Sequence, residues 1–185
     1  MKRDHTKVVV GKSVYIAPTS YVGGHVVLGD HCTVMPHASI RGDFAPIRLG
    51  QRVNVQDGAV LHTDLNVPLE IGDDVTIGPG AVVHCTSVGA GSLVGIRATL
   101  LDGVVLGKNC MVAIGAVVTP GTEVPDGMLV AGAPARVQRP VTDHERAELR
   151  LTVEAYVKLG AQHRAGRFPN TADEHMDDQS LPEKP

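Results

Sequence analysis

The chain has 185 residues, a formal net charge of −3 and 43% hydrophobic residues, which is enough for one domain with its own core. This balance leaves no basic footprint for nucleic acid. No apolar run is long enough to span a membrane, and the charged start MKRDHTK is unlike a signal peptide, so neither partner is expected and a cytoplasmic location is. Cys32, Cys85 and Cys110 are odd in number and lack CxxC spacing, which speaks against a disulfide framework.

From the N-terminus an aliphatic residue recurs every six positions: Ile16, Val22, Leu28, Val34, Ile40. After an insertion the count resumes at Leu49, Val55 and Leu61. A second insertion, around His62–Glu70, precedes Ile71, Ile77 and Val83. One five-residue step leads to Val88, and the period then holds through Val94, Leu100, Leu106, Val112, Val118, Val124 and Val130. A period of six fits neither a helical stripe nor a strand running on with period two. It fits a prism whose three short faces each turn one aliphatic inward. Gly often follows the inward residue, as at Gly50, Gly78 and Gly95, where the chain must bend. Residues 8–134 then supply about seven coils stacked in parallel.

The pattern changes at Val141. Thr142-Asp143-His144-Glu145 reads as a capping box, and Leu149, Val153, Tyr156, Val157 and Gly160 fall on one helical face. The division expected is a β-helix over 1–140, an amphipathic helix over 141–163 and a polar, disordered tail over 164–185.

Arg41-Gly42-Asp43, Asn54-Val55-Gln56-Asp57-Gly58, His62, Val75-Thr76-Ile77-Gly78 and His84, in that order, resemble the signature of the γ-class carbonic anhydrases. Val130–Arg136, reading VAGAPAR, is similar to that family's coil ending, which acyltransferases of the same fold share. The resemblance covers residues 8–163. It implies a mainly β, left-handed parallel β-helix with a C-terminal α-helix, assembled as a homotrimer whose three zinc-binding histidines lie between two subunits. His62 and His84 match two of these ligands. The third falls in a step that reads Ile77-Gly78-Pro79 here, and proline has no donor atom for a metal. Zinc or another divalent metal is therefore expected to bind weakly, since each ligand bond contributes to affinity.

The resemblance also implies that Asp43 and Gln56 orient metal-bound water and bicarbonate, and that Arg41 and Asp57 form a structural pair bridging subunits. Cys85, directly after His84, would reach the metal only if the corner bent, because adjacent residues on an extended chain face opposite ways. It is more readily a small buried hydrophobe. His37 reads as a hydrogen-bonded surface or core residue. Arg97, eighteen residues after Pro79, is expected one coil above it on the same face. There it would hold a carboxylate or phosphate, or form an inter-subunit ion pair.

The expected activity is that of a carbonic anhydrase-like lyase with an altered inter-subunit site. It would act on CO2, bicarbonate or another small carbonyl or carboxylate compound, with CO2 hydration weak. Two alternatives remain at this point: a hexapeptide-repeat acyltransferase and a non-catalytic trimeric scaffold. Lys108, Arg136 and Arg139 are few bases with which to hold the phosphates of CoA.

Overall fold

Short strands recur along the chain because each six-residue step carries one aliphatic inward and then has to turn. In the computed structural model, which describes residues 7–168, these strands pair in parallel with the coils above and below. Val94, for example, lies between Ile77 and Val112. The result is a parallel β solenoid of about seven turns with one C-terminal helix. Its strands form an eleven-stranded and an eight-stranded sheet; the larger covers two faces of the prism, joined where Tyr21–Leu28 and Ser39–Leu49 run across a corner.

The hexapeptide positions from Leu28 to Val130 form the core, none more than 4% exposed, with Ile16 and Val22 packed partly buried against them. Each buried aliphatic of this column is worth about 1.5–3 kcal/mol of transfer free energy. A second column of small residues, two positions earlier, fills the inside of the corners: Ala38, Ala59, Ala81 and Ala98. Cys32 and Cys110 occupy that same position and are fully buried, so they act as small hydrophobes. Burial pushes the Cys32 thiol up to about 11.

Coil length is not constant, and the variation is concentrated. Partners are eighteen apart from Tyr21 to Ser39, then step by 21 from Thr33 to Asn54 and by 22 from Asn54 to Thr76. They shorten to seventeen from Thr76 to Leu93 and return to eighteen from Leu93 to Met111. The added residues fall near Asp43–Pro46 and Asp64–Pro68, and the missing one near Cys85–Thr86. All three departures lie at one corner of the prism, here called the histidine corner. Strands such as Val82–Val83 lead into it from a proline corner, and strands such as Ser87–Val88 lead from it to a helix-side corner.

Helix α1 (Asp143–Arg164) starts where the sequence places it. Thr142 accepts from the Glu145 N–H, and the Glu145 carboxylate accepts from the Thr142 N–H. Leu149, Val153 and Gly160 are buried against the smaller sheet. At Gly160 a Cβ would stand 2.4 Å from Thr33 Cγ2, so only glycine allows this approach. Under the helix Asn54 Nδ2 donates to Thr76 Oγ1 at 2.8 Å. The helix thus covers one face of the prism. A second face is charged, with Arg48 paired to Glu70. The third, between the proline and histidine corners, presents the uncovered column Tyr21, Ser39, Val60, Val82, Thr99 and Val117. Among the described residues no helix is long and apolar enough to cross a membrane. Most of the segment expected to be a tail, 169–185, lies outside the described residues.

Candidate active site

At the histidine corner the stacked coils bring four titratable side chains into one chain of contacts. His62 ends the strand Val60–His62, and His84 follows Val82–Val83 one coil above. His62 Nδ1 and His84 Nε2 are 3.2 Å apart. The outer nitrogen of each ring meets a carboxylate: His62 Nε2 lies 3.1 Å from Asp43 Oδ1, and His84 Nδ1 lies 2.5 Å from Asp102 Oδ1. Phe44 leans over His62 with ring centroids 5.3 Å apart. Gly42 lets this corner stack, because a Cβ there would lie 2.6 Å from the His25 carbonyl oxygen.

Asp43 also accepts from Arg41, and Asp57 lies at the other corner, so a pair between Arg41 and Asp57 would have to join two subunits. The Asp43 carboxyl is held below its ordinary value. Desolvation acts the other way, but hydrogen bonds from Arg41 and His62 outweigh it. Cys85 is 4% exposed, and burial pushes its thiol up to about 12. It turns to the core while His84 turns outward, and a buried neutral thiol is a poor metal ligand.

Gln56, Asp57, Pro79 and Arg97 stand elsewhere. Six residues separate Gln56 from His62 and five separate Pro79 from His84, so each pair is divided by one face of the prism. Gln56 is 7% exposed and donates its amide to Asn54 Oδ1. Arg97 requires a correction of register. Val94 pairs with Ile77, a step of seventeen, so Ile96 stands over Pro79 and Arg97 over Gly80. The five-residue step at the neighbouring corner shortens this coil and moves Arg97 one place along. It remains on the same corner, with its N–H donated to the Pro79 carbonyl at 2.9 Å. Arg97 also has a positive φ of 54°, in a column that otherwise holds His37, Gly58, Gly80 and Gly115.

Asp102 escaped the sequence reading. It follows His84 by eighteen residues, but Leu101-Asp102-Gly103 has the composition of any corner and lies outside the family signature.

The donor set fits a divalent metal in part. Two imidazole nitrogens converge, and each ring is held at its other nitrogen by a carboxylate, as ligand imidazoles are. The third position of the family's set has no donor at Pro79, and among the described residues no group of three or more His, Cys, Asp or Glu side chains is placed to hold a metal.

The fold and this corner define the class: hexapeptide-repeat proteins. The family described as "Bacterial transferase hexapeptide (six repeats)" matches residues 7–42. The carnitine operon protein CaiE of Salmonella agona is 33% identical over 85% of this chain and 80% of its own length. The protein named "Gamma carbonic anhydrase 2, mitochondrial" of Arabidopsis thaliana is 37% identical over 84% of this chain. The chain spans 58% of that relative's length. A solved structure of a hexapeptide transferase family protein from Anaplasma phagocytophilum has a TM-score of 0.68 at 29% identity, covering 83% of this chain and 96% of that one. The chain belongs to the γ-carbonic anhydrase-like family of hexapeptide-repeat proteins.

Proposed function

We propose that the chain forms a homotrimer with a γ-carbonic anhydrase-like site between subunits, altered so that it takes CO2, bicarbonate or another small carboxylate or carbonyl compound and hydrates CO2 weakly. The observation that carries this reading is the split of the family's site residues between two corners. Asp43, His62 and His84 share one; Gln56, Asp57, Pro79 and Arg97 share the other. They can meet only if the histidine corner of one copy faces the proline corner of another. The uncovered, largely apolar face between the two corners supports that packing, since a contact between unlike surfaces, repeated head to tail, closes into a ring about a threefold axis.

A divalent metal, when bound, would be held by His62 and His84 and would supply Lewis acidity toward water or a carbonyl oxygen. The remaining steps belong to the chain. Asp43 and Asp102 hold the imidazoles, and Phe44 shields His62 from solvent. Arg97, brought from a neighbouring copy, would neutralise a carboxylate or bicarbonate. An acyltransferase reading gains fold-level support from the transferase-like solved structure, and acetyl-CoA binding by calorimetry would reveal it.

The test is metal content with and without the missing donor. The unmodified protein should carry substoichiometric zinc, lost on brief dialysis against chelator. Pro79→His should raise zinc affinity by more than the roughly 100-fold attached to an outer-sphere change, bring occupancy toward one per site, and raise CO2 hydration with it. Full, chelator-resistant zinc in the unmodified protein would overturn the altered-site reading.

A further inference from the structure

The contacts at the histidine corner are unequal in a way that assigns a role to a residue outside the family signature. Asp43 divides its charge between Arg41 Nη1 and His62 Nε2. Among the described residues the Asp102 carboxylate meets one partner, His84 Nδ1. Its backbone is tied to the coil above, and the strand that leads into it to the coil below. The His84 N–H donates to the Leu100 carbonyl at 2.9 Å, and the Asp102 carbonyl accepts from the Gly121 N–H at 2.8 Å. Asp102 is thus set by the coil ladder.

A neutral imidazole carries one N–H. A carboxylate at Nδ1 accepts only from an N–H, so this contact selects the Nδ1–H tautomer of His84 and leaves the lone pair on Nε2. Nε2 is the nitrogen turned toward His62. Asp43 makes the same selection at the opposite nitrogen of His62 and frees its Nδ1. The two lone pairs would then face each other at 3.2 Å, so the contact is complete only with a proton or a cation between them. Neither carboxylate can move to the metal side while it keeps its imidazole.

We propose that Asp102 is the positioning residue for His84: it fixes the ring's tautomer and orientation so that Nε2, in concert with His62 Nδ1, is available to a divalent cation. The inference rests on the proposed site, but its first readout needs neither metal nor turnover. The Asp102 side chain is 58% exposed and that of His84 27%, so the pair is well screened and adds little to stability. Its effect should therefore appear at the ring and leave folding unchanged.

The experiment uses full-length, 15N-labelled protein stripped of metal, with His84 assigned by the signals lost in His84→Gln. Long-range proton–nitrogen spectra report which nitrogen carries the proton. The unmodified protein should show the Nδ1–H form, Asp102→Ala a mixture of tautomers, and Asp102→Glu a return to Nδ1–H. Cobalt(II) titrated into the same three proteins should bind 10–100-fold more weakly to Asp102→Ala, with most of the loss recovered in Asp102→Glu and thermal unfolding unmoved. An Nε2–H tautomer in the unmodified protein, or no tautomer change in Asp102→Ala, would overturn the role of Asp102. If no variant binds cobalt yet the tautomer responds, the metal-holding reading of the corner fails and the positioning role stands.

Discussion

The histidine corner and the helix-side corner are made from the same six-residue step and have come out opposite. On the helix side every coil turns in the same register, through a column of left-handed residues that includes Arg52, Asp74, Gly91 and Asn109. Charges there pair with one another: Arg52 forms a two-pronged contact with Asp74. At the histidine corner three successive coils depart from eighteen residues, and Asp43, His62, His84 and Asp102 gather there. A solenoid can tolerate an insertion only where the extra chain bulges outward without moving the strands on either side. The same bulges hold side chains off the regular ladder, so the place that accepts irregularity is also the place that can carry chemistry.

The largest effect expected from this contrast comes from changing chain length at each corner. Deleting Asp64–Val67, all exposed, returns its coil from 22 residues to eighteen and should cost about 1 kcal/mol or less, because loop length contributes weakly to stability. Deleting only Ala90 at the helix-side corner pulls Leu93 and Val94 out of register with Thr76 and Ile77 and turns the inward column outward. That protein should lose about 3 kcal/mol or more, or fail to unfold cooperatively, in chemical denaturation. Equal tolerance at the two corners would remove the contrast. Within the core itself, Leu100→Ala should cost about 2–5 kcal/mol whichever corner is nearer, since the column is continuous.

These lengths also show what could be read in advance. The inward column was legible because a period of six leaves few alternatives, and the structure buries those positions from Leu28 to Val130. The capping box at Thr142 was legible because its chemistry is local. The register between Pro79 and Arg97 was misread because a missing residue at one corner displaces the next corner that is compared across it. Asp102 was passed over for a different reason: Asp-Gly at a corner is ordinary turn composition, and only the meeting of two coils gives it a partner. Contacts between coils that differ in length are set by the sum of all insertions before them.

Arg97 tests the proline corner as a partner to the histidine corner. Arg97→Ala should weaken binding of bicarbonate or a small carboxylate by about 1.5–3 kcal/mol in calorimetry and leave the trimer intact in light scattering. Arg97→Lys should restore part of the loss, because an ammonium lacks the planar fork. Arg97→Gly relieves the positive φ and should bind as poorly as the alanine variant while unfolding no more easily. Dissociation of the trimer with unchanged affinity per site would make Arg97 an interface residue and end its role as an anion holder.

The smallest effect expected separates structural charge from site charge. Glu145 is held well below the ordinary carboxylate range, first by the hydrogen bond from Arg139 and then by those from the Thr142 N–H and hydroxyl. A carboxyl lowered in the folded protein binds its proton more readily when unfolded. Its stabilising contribution is therefore complete above the ordinary value of 4.5 and is lost as pH falls from there toward the folded value. Helix α1 in the unmodified protein should thus loosen progressively in acid below about pH 4.5, followed by circular dichroism. Glu145→Gln should flatten that acid dependence, and Thr142→Ala should cost about 1 kcal/mol near neutral pH. Neither should alter ligand affinity at the histidine corner, because α1 packs on the face opposite that corner and its cap shares no partner with Asp43 or Asp102. If either variant changes that affinity, the regular and irregular sides of the prism are coupled, and the separation drawn from their coil lengths does not hold.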